Sequence, residues 1–242
     1  MKRFSYLCVS GLLSMMSLVT CGAPHGQPRE GSEPVAPNQV LDFRTLYAQN
    51  CAGCHGEEGR GGASIALANP VYLAIVDEKA MRKVVADGVR GTSMPAFAQG
   101  AGGMLTEQQI NAITSGMFSN WGRKGVLDGA NPPLFAAKTI GNAAHGELVF
   151  GAYCASCHGS EGQGGSKGSA VTNDSFLALV SDQGLRTIVI TGRPELGAPD
   201  WRGNVPGKSM SDQEITDVVA WLASRRVQPP RQPYFVSKYL QH

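Results

Sequence analysis

The chain has 242 residues, with 21 basic against 19 acidic side chains, 31 glycines and only 7% aromatics. An ordinary domain takes about 100–200 residues, so two small domains with a leader and a tail fit the length. The near balance of charge leaves no basic surplus of the kind that nucleic-acid binding requires.

Residues 1–20 read as an export signal. Lys2 and Arg3 form a charged start, and Tyr6 to Val19 form an apolar run. That run is shorter than the ~20 residues a membrane-spanning helix needs. It ends in Leu18-Val19-Thr20-Cys21-Gly22, which resembles a bacterial lipoprotein processing box, with Thr20 departing from the usual small residue. Cys8 falls in the leader, and four of the six cysteines pair up further along. Cys21 is left alone, and lipid on its thiol is the expected reason for it. Residues 21–38 carry Pro24, Pro28, Pro34 and Pro37 among polar residues and read as an extended tether.

Two copies of one motif follow, Cys51-Ala-Gly-Cys54-His55 and Cys154-Ala-Ser-Cys157-His158, 103 residues apart. Cys-x-x-Cys-His attaches haem covalently. Two residues between the thiols in a helical turn set both sulfurs along one porphyrin edge, and the next residue, His, comes up under the iron. Cys51, Cys54, Cys154 and Cys157 are thus expected to bind two c-type haems, with His55 and His158 as iron ligands. The serious rival is a zinc site built from two Cys-x-x-Cys pairs. It explains neither the His after each pair nor the separate repeat around each.

The repeat extends far beyond the motif. Asn69 to Leu73 matches Asn173 to Leu177, Met81 to Gly88 matches Leu185 to Gly192, and Leu105 to Ile110 matches Met210 to Ile215. Each copy predicts three or four helices and no strand. The first leads into the motif through Leu46 and Tyr47, or Val149 and Phe150. The middle one carries Met81, Val84 and Val85, or Leu185, Ile188 and Val189, at helical spacing. The last opens on a capping box, Thr106-x-x-Gln109 or Ser211-x-x-Glu214. Its apolar stripe is Ile110, Ile113 and Met117 in one copy, and Ile215, Val218, Val219 and Leu222 in the other. Gly59 to Gly62 and Gly162 to Gly165 give backbone room to wrap a flat cofactor, and that cofactor can replace part of a core.

With its motif, wrapping loop, Met-Pro loop and closing helix, each half resembles a class I cytochrome c domain, over residues about 40–226. The pair resembles dihaem c-type cytochromes. The resemblance implies an all-α fold of two tandem domains and an electron-carrying role. It also implies that the first and last helices of each half cross closely, with an aromatic over a glycine. Trp221 over Gly146 suits the second half. The equivalent positions in the first are Phe43 and Gly116, with large and small exchanged. The expected organisation is a leader at 1–20, tether at 21–38, domain at 39–121, linker at 122–142, domain at 143–226 and tail at 227–242.

The halves differ at the iron's sixth position. Gly91-Thr92-Ser93-Met94-Pro95-Ala96-Phe97 offers Met94 as a soft thioether ligand, with Met104 as a local rival. Gly192 to Trp201 aligns without a gap and sets Ala198 where Met94 stands, keeping Pro199 and Trp201. Alanine cannot coordinate iron. The second site is therefore open, or takes Met210, Lys208, a His or a partner's ligand. Met210 has another reading, as an apolar staple ahead of the last helix, the place Leu105 takes in the first half. Arg60, Arg82, Arg90, Arg186, Arg193 and Arg202 are candidates for haem propionates or for plain surface charge.

These readings lead to one expectation. The chain carries single electrons between a membrane-associated donor and an acceptor outside the bacterial cytoplasm, partnered by redox proteins of a respiratory or photosynthetic chain. It sits on the periplasmic or cell-surface side, anchored through Cys21. The alternative is a haem enzyme or small-ligand sensor that uses the second iron.

Overall fold

A computed structural model describes residues 35–227. The leader, Cys21, most of the tether, and the tail beyond residue 227 lie outside the described residues. So do His25 and His242.

The described chain is helical, with no β-strand among the described residues, and no described helix is long and apolar enough to cross a membrane. The first half contains α1 (Phe43–Asn50), α2 (Ala52–His55), α3 (Pro70–Ile75), α4 (Glu78–Asp87) and α5 (Glu107–Trp121). The second repeats them as α6 (Ala143–Tyr153), α7 (Ala155–His158), α8 (Asp174–Leu179), α9 (Asp182–Thr191) and α10 (Asp212–Ser224).

Short polar side chains start these helices by taking up N–H groups that have no partner within the helix. Asp42 caps α1, Asn69 caps α3 ahead of Pro70, Asp77 caps α4 and Ser181 caps α9. Both capping boxes form as their spacing predicts, Thr106 with Gln109 and Ser211 with Glu214.

Each half closes by crossing its first helix on its last. A Cβ on Gly116 would lie 2.3 Å from the Phe43 ring, so only glycine lets α1 and α5 approach so closely. In the second half a Cβ on Gly146 would lie 2.0 Å from the Asp217 carbonyl oxygen and 2.9 Å from Trp221 Cβ. Both expected pairs meet, and the exchange of large and small is real. Aromatics fill in behind them, with Trp121 edge-on to Phe43 and Tyr47 and Phe150 against Trp221.

The middle helices depart from the expected stripe. Met81 and Val85 are buried, but Val84 is 38% exposed. On α9 the buried set is Leu185, Arg186, Thr187, Ile190 and Thr191. The difference is one of neighbours, because α9 packs on α10 and also on α3 of the other half. Asn69 Nδ2 donates to the Thr191 carbonyl across that contact at 3.0 Å, and Val71 joins the second core.

Residues 122–142 are strapped to the second half. Buried Arg186 donates to the carbonyls of Leu134 and Phe135, to Thr216 and to Asp212. Asp212 in turn accepts from the Leu134 N–H at 2.9 Å, and Gln183 donates to the Phe135 carbonyl at 2.8 Å. The Phe135 ring packs on the first core beside Tyr72. Arg225 and Arg226 also fold onto the second half. Arg225 lies over Trp221 and pairs with Glu161, and Arg226 bonds the carbonyls of Leu177 and Val180.

Candidate haem centres

Both motifs are built the same way. α1 stops at Cys51, whose N–H donates to the Tyr47 carbonyl at 2.8 Å, and Cys51 then opens the single turn of α2. The N–H groups of Cys54 and His55 both return to the Cys51 carbonyl, at 3.2 and 3.0 Å. One turn thus presents two thiols and an imidazole together. In the second half Cys157 and His158 return to the Cys154 carbonyl at 3.1 and 3.0 Å. Within each pair the first thiol is the more buried, and burial, followed by its partner thiol, pushes both Cys51 and Cys154 up to about 12.

The histidines are held by main-chain carbonyls. His55 Nδ1 lies 2.9 Å from the Ile65 carbonyl, and His158 Nδ1 lies 2.7 Å from the Ser169 carbonyl. A carbonyl can only accept, so Nδ1 carries the proton in each ring. In the neutral ring Nε2 is then left with its lone pair, the form that coordinates iron. His55 is buried, and that burial holds its pKa below the usual range despite the hydrogen bond to Ile65. The neutral ring is the ligating one. Thiols and imidazole on one turn with Nδ1 held by a carbonyl fit a covalent haem in each half, and in the second half the loop after the motif folds against the ring. Gly168 shows the closeness of that loop, since a Cβ there would lie 2.9 Å from His158 Nδ1. Among the described residues no three His, Cys, Asp or Glu side chains gather to hold a metal ion. The zinc rival, which needs the two Cys pairs around one ion, is not formed there.

The carbonyls of Ile65 and Ser169 were not legible in the sequence, because a backbone acceptor has no residue type. The only signal is position, ten and eleven residues after the histidine.

The loops that carry Met94 and Ala198 share the bond to the carbonyl of that residue. Val89 N–H donates to the Met94 carbonyl at 3.0 Å, and Arg193 N–H donates to the Ala198 carbonyl at 2.9 Å. Each loop folds back over the glycine that ends the middle helix. A Cβ on Gly88 or Gly192 would lie 2.7 Å from the carbonyl oxygen of Met94 or Ala198. Both glycines have positive φ, 69° and 64°.

The other candidates are placed as follows. Met104 is 82% exposed. Met210 is buried in the second core, and its N–H donates to the Trp201 carbonyl, just as Leu105 N–H donates to the Phe97 carbonyl. Lys208 lies over the Tyr153 ring. His145 pairs with buried Asp217 at 2.7 Å. Among the arginines, Arg82 is taken by Glu107 and Asn111, Arg186 by the strap, and Arg202 by Asp200 and the Val126 carbonyl. Arg193 joins Glu195 and reaches the Gly62 carbonyl of the first half at 3.0 Å. These four have structural partners; the structure records no ion pair for Arg60 or Arg90 among the described residues.

Comparison with known proteins supports the same picture. The family described as cytochrome C oxidase, cbb3-type, subunit III matches twice, over residues 38–115 and 141–222. The Cbb3-type cytochrome c oxidase subunit CcoP of Azospirillum sp. (strain B510) is 32% identical over 132 residues, covering 50% of this chain and 40% of that protein. Thiosulfate dehydrogenase of Stutzerimonas stutzeri (strain A1501) is 28% identical over 194 residues, covering 75% and 61%. The chain thus spans less than two thirds of the length of these two relatives. A solved chain of the Kuenenia stuttgartiensis reducing HAO-like protein complex overlaps loosely, at a TM-score of 0.44 and 17% identity, over 80% of this chain and 98% of that one. With a family match over each repeated half, the chain belongs to the cytochrome C oxidase, cbb3-type, subunit III family and is an electron-transferring c-type cytochrome of two cytochrome c domains.

Proposed function

We propose that the chain carries two covalent haems and passes single electrons from a membrane-associated donor to an acceptor outside the bacterial cytoplasm, within a respiratory chain. Cys51 and Cys54 hold the first haem and Cys154 and Cys157 the second, with His55 and His158 as iron ligands and Met94 as the sixth ligand of the first. The domains run over 39–121 and 143–226, joined by 122–142. Cys21 bears the lipid that keeps the protein at the membrane.

The observation that carries this reading is the pair of histidines, each directly after two thiols and each with its Nδ1 proton spent on a carbonyl. Two such rings are ready for iron in one chain. The haem supplies the redox chemistry. The chain fixes each ligand's tautomer, buries His55 and sets the two sites in domains that touch through α3 and α9. The resemblance to oxidase subunit CcoP supports a respiratory partner.

The test is the mass of the denatured, exported protein. The wild type is expected to carry the added mass of two haems, and the double variant Cys154→Ala/Cys157→Ala that of one. A wild-type mass with one haem or none overturns the reading.

A further inference from the structure

We propose that the second haem offers its sixth position to a small neutral ligand of the carbon monoxide and nitric oxide class, while the first does not. The inference rests on the reading that His158 holds a haem iron, and goes beyond it by assigning that iron a ligand-binding role.

The second loop keeps two contacts of the first and lacks its ligand. Its carbonyl at position 198 is held as the one at 94 is, and Gly192 underlies it as Gly88 underlies Met94. Further bonds close it, from Ala198 N–H to the Arg193 carbonyl at 3.1 Å and from Leu196 N–H to the same carbonyl at 2.8 Å. The second loop thus keeps the carbonyl bond and the underlying glycine of the first, and carries a methyl group where the first carries the Met94 thioether. A methyl group supplies neither a lone pair nor a proton.

The described side chains that could replace a methionine are engaged elsewhere. Met210 occupies the position of Leu105 by its main-chain bond and is 3% exposed in the second core, with Asn204 Nδ2 3.9 Å from its sulfur. Lys208 lies over Tyr153, 5.1 Å from the ring centroid. His145 is bonded to Asp217. The one cation in the loop, Arg193, is neutralised by Glu195. An apolar residue and a neutralised arginine favour a neutral ligand over an anion.

The test adds carbon monoxide to the reduced holoprotein, whose haems are first counted by mass. About half of the haem signal is expected to shift. Ala198→Met is expected to abolish the shift, Met94→Ala to roughly double it, and Met210→Leu, which installs the first half's own residue, to leave it unchanged. Two haems counted with no shift overturns this inference alone, whether the blocking ligand comes from Met210 or from the tail. A larger shift in Met210→Leu overturns it by identifying Met210 as the ligand, and a shift that survives Ala198→Met overturns the placement of residue 198. A mass with only one haem overturns the dihaem reading itself.

Discussion

Single residues decide the most here where they are small. Gly116 has no room for a side chain, with the Phe43 ring 2.3 Å from where its Cβ would stand. Gly116→Val is expected to cost about 1–3 kcal/mol, the usual range for overpacking, read as a lowered denaturation midpoint. This contact was expected because the resemblance to class I cytochrome c domains implies an aromatic over a glycine, and the repeat carried that pair onto Phe43 and Gly116. The carbonyls that orient His55 and His158 were not, since any residue type can supply them. Asp217 makes a second prediction. Burial would raise its carboxyl, but hydrogen bonds from the Asn142 N–H, His145 and Gln213 outweigh that and hold it below the usual carboxylate range. A depressed carboxyl adds stability above its unfolded pKa of about 4 and loses it as pH falls through the folded value. The wild type should therefore lose stability below about pH 4, and Asp217→Asn should be weaker at neutral pH with a shallower acid limb in a pH series of melts.

Among the elements, the helices were the readable part. Caps and capping boxes are local, so residues three apart in sequence announce them, and both boxes formed. The middle-helix stripe was only half readable. Periodicity marks an apolar face but does not say which helices receive a second neighbour, and α9 received α3 where α4 left Val84 open. The strap over 122–142 was illegible for a similar reason. Arg186 spends its donors on the main-chain oxygens of Leu134 and Phe135, and at the level of sequence a buried arginine looks like a surface one. Arg186→Ala would strip those carbonyls and Asp212 of their partner together. The expected loss is about 1–3 kcal/mol, as for polar groups left without their hydrogen-bond partner, together with faster proteolysis within 122–142. A variant that melts like the wild type would contradict the strap.

At the scale of the whole molecule, duplication and asymmetry are both present. Duplication gives two Cys-x-x-Cys-His turns with the same bonds, and the family match repeats with them. The asymmetry lies in the ligand loops, where one frame carries Met94 and the other Ala198. Both facts were legible in the sequence because the loops align without a gap. What the sequence hid is how the halves touch. The glycine loop of the first site takes a hydrogen bond from Arg193, at the root of the second ligand loop, and Asn69 bonds Thr191 beside it. Asn69→Ala leaves the buried Thr191 carbonyl without that donor and is expected to cost about 1–3 kcal/mol, measurable in the denaturant midpoint. Two redox centres in one chain are the central expectation for this molecule. A potentiometric titration followed in the visible haem bands tests this most directly. It should resolve two reversible one-electron steps, each with about half of the absorbance change and at separate potentials, because a thioether ligand tends to raise potential. A single one-electron step accounting for all the haem, or no reversible step, would contradict it.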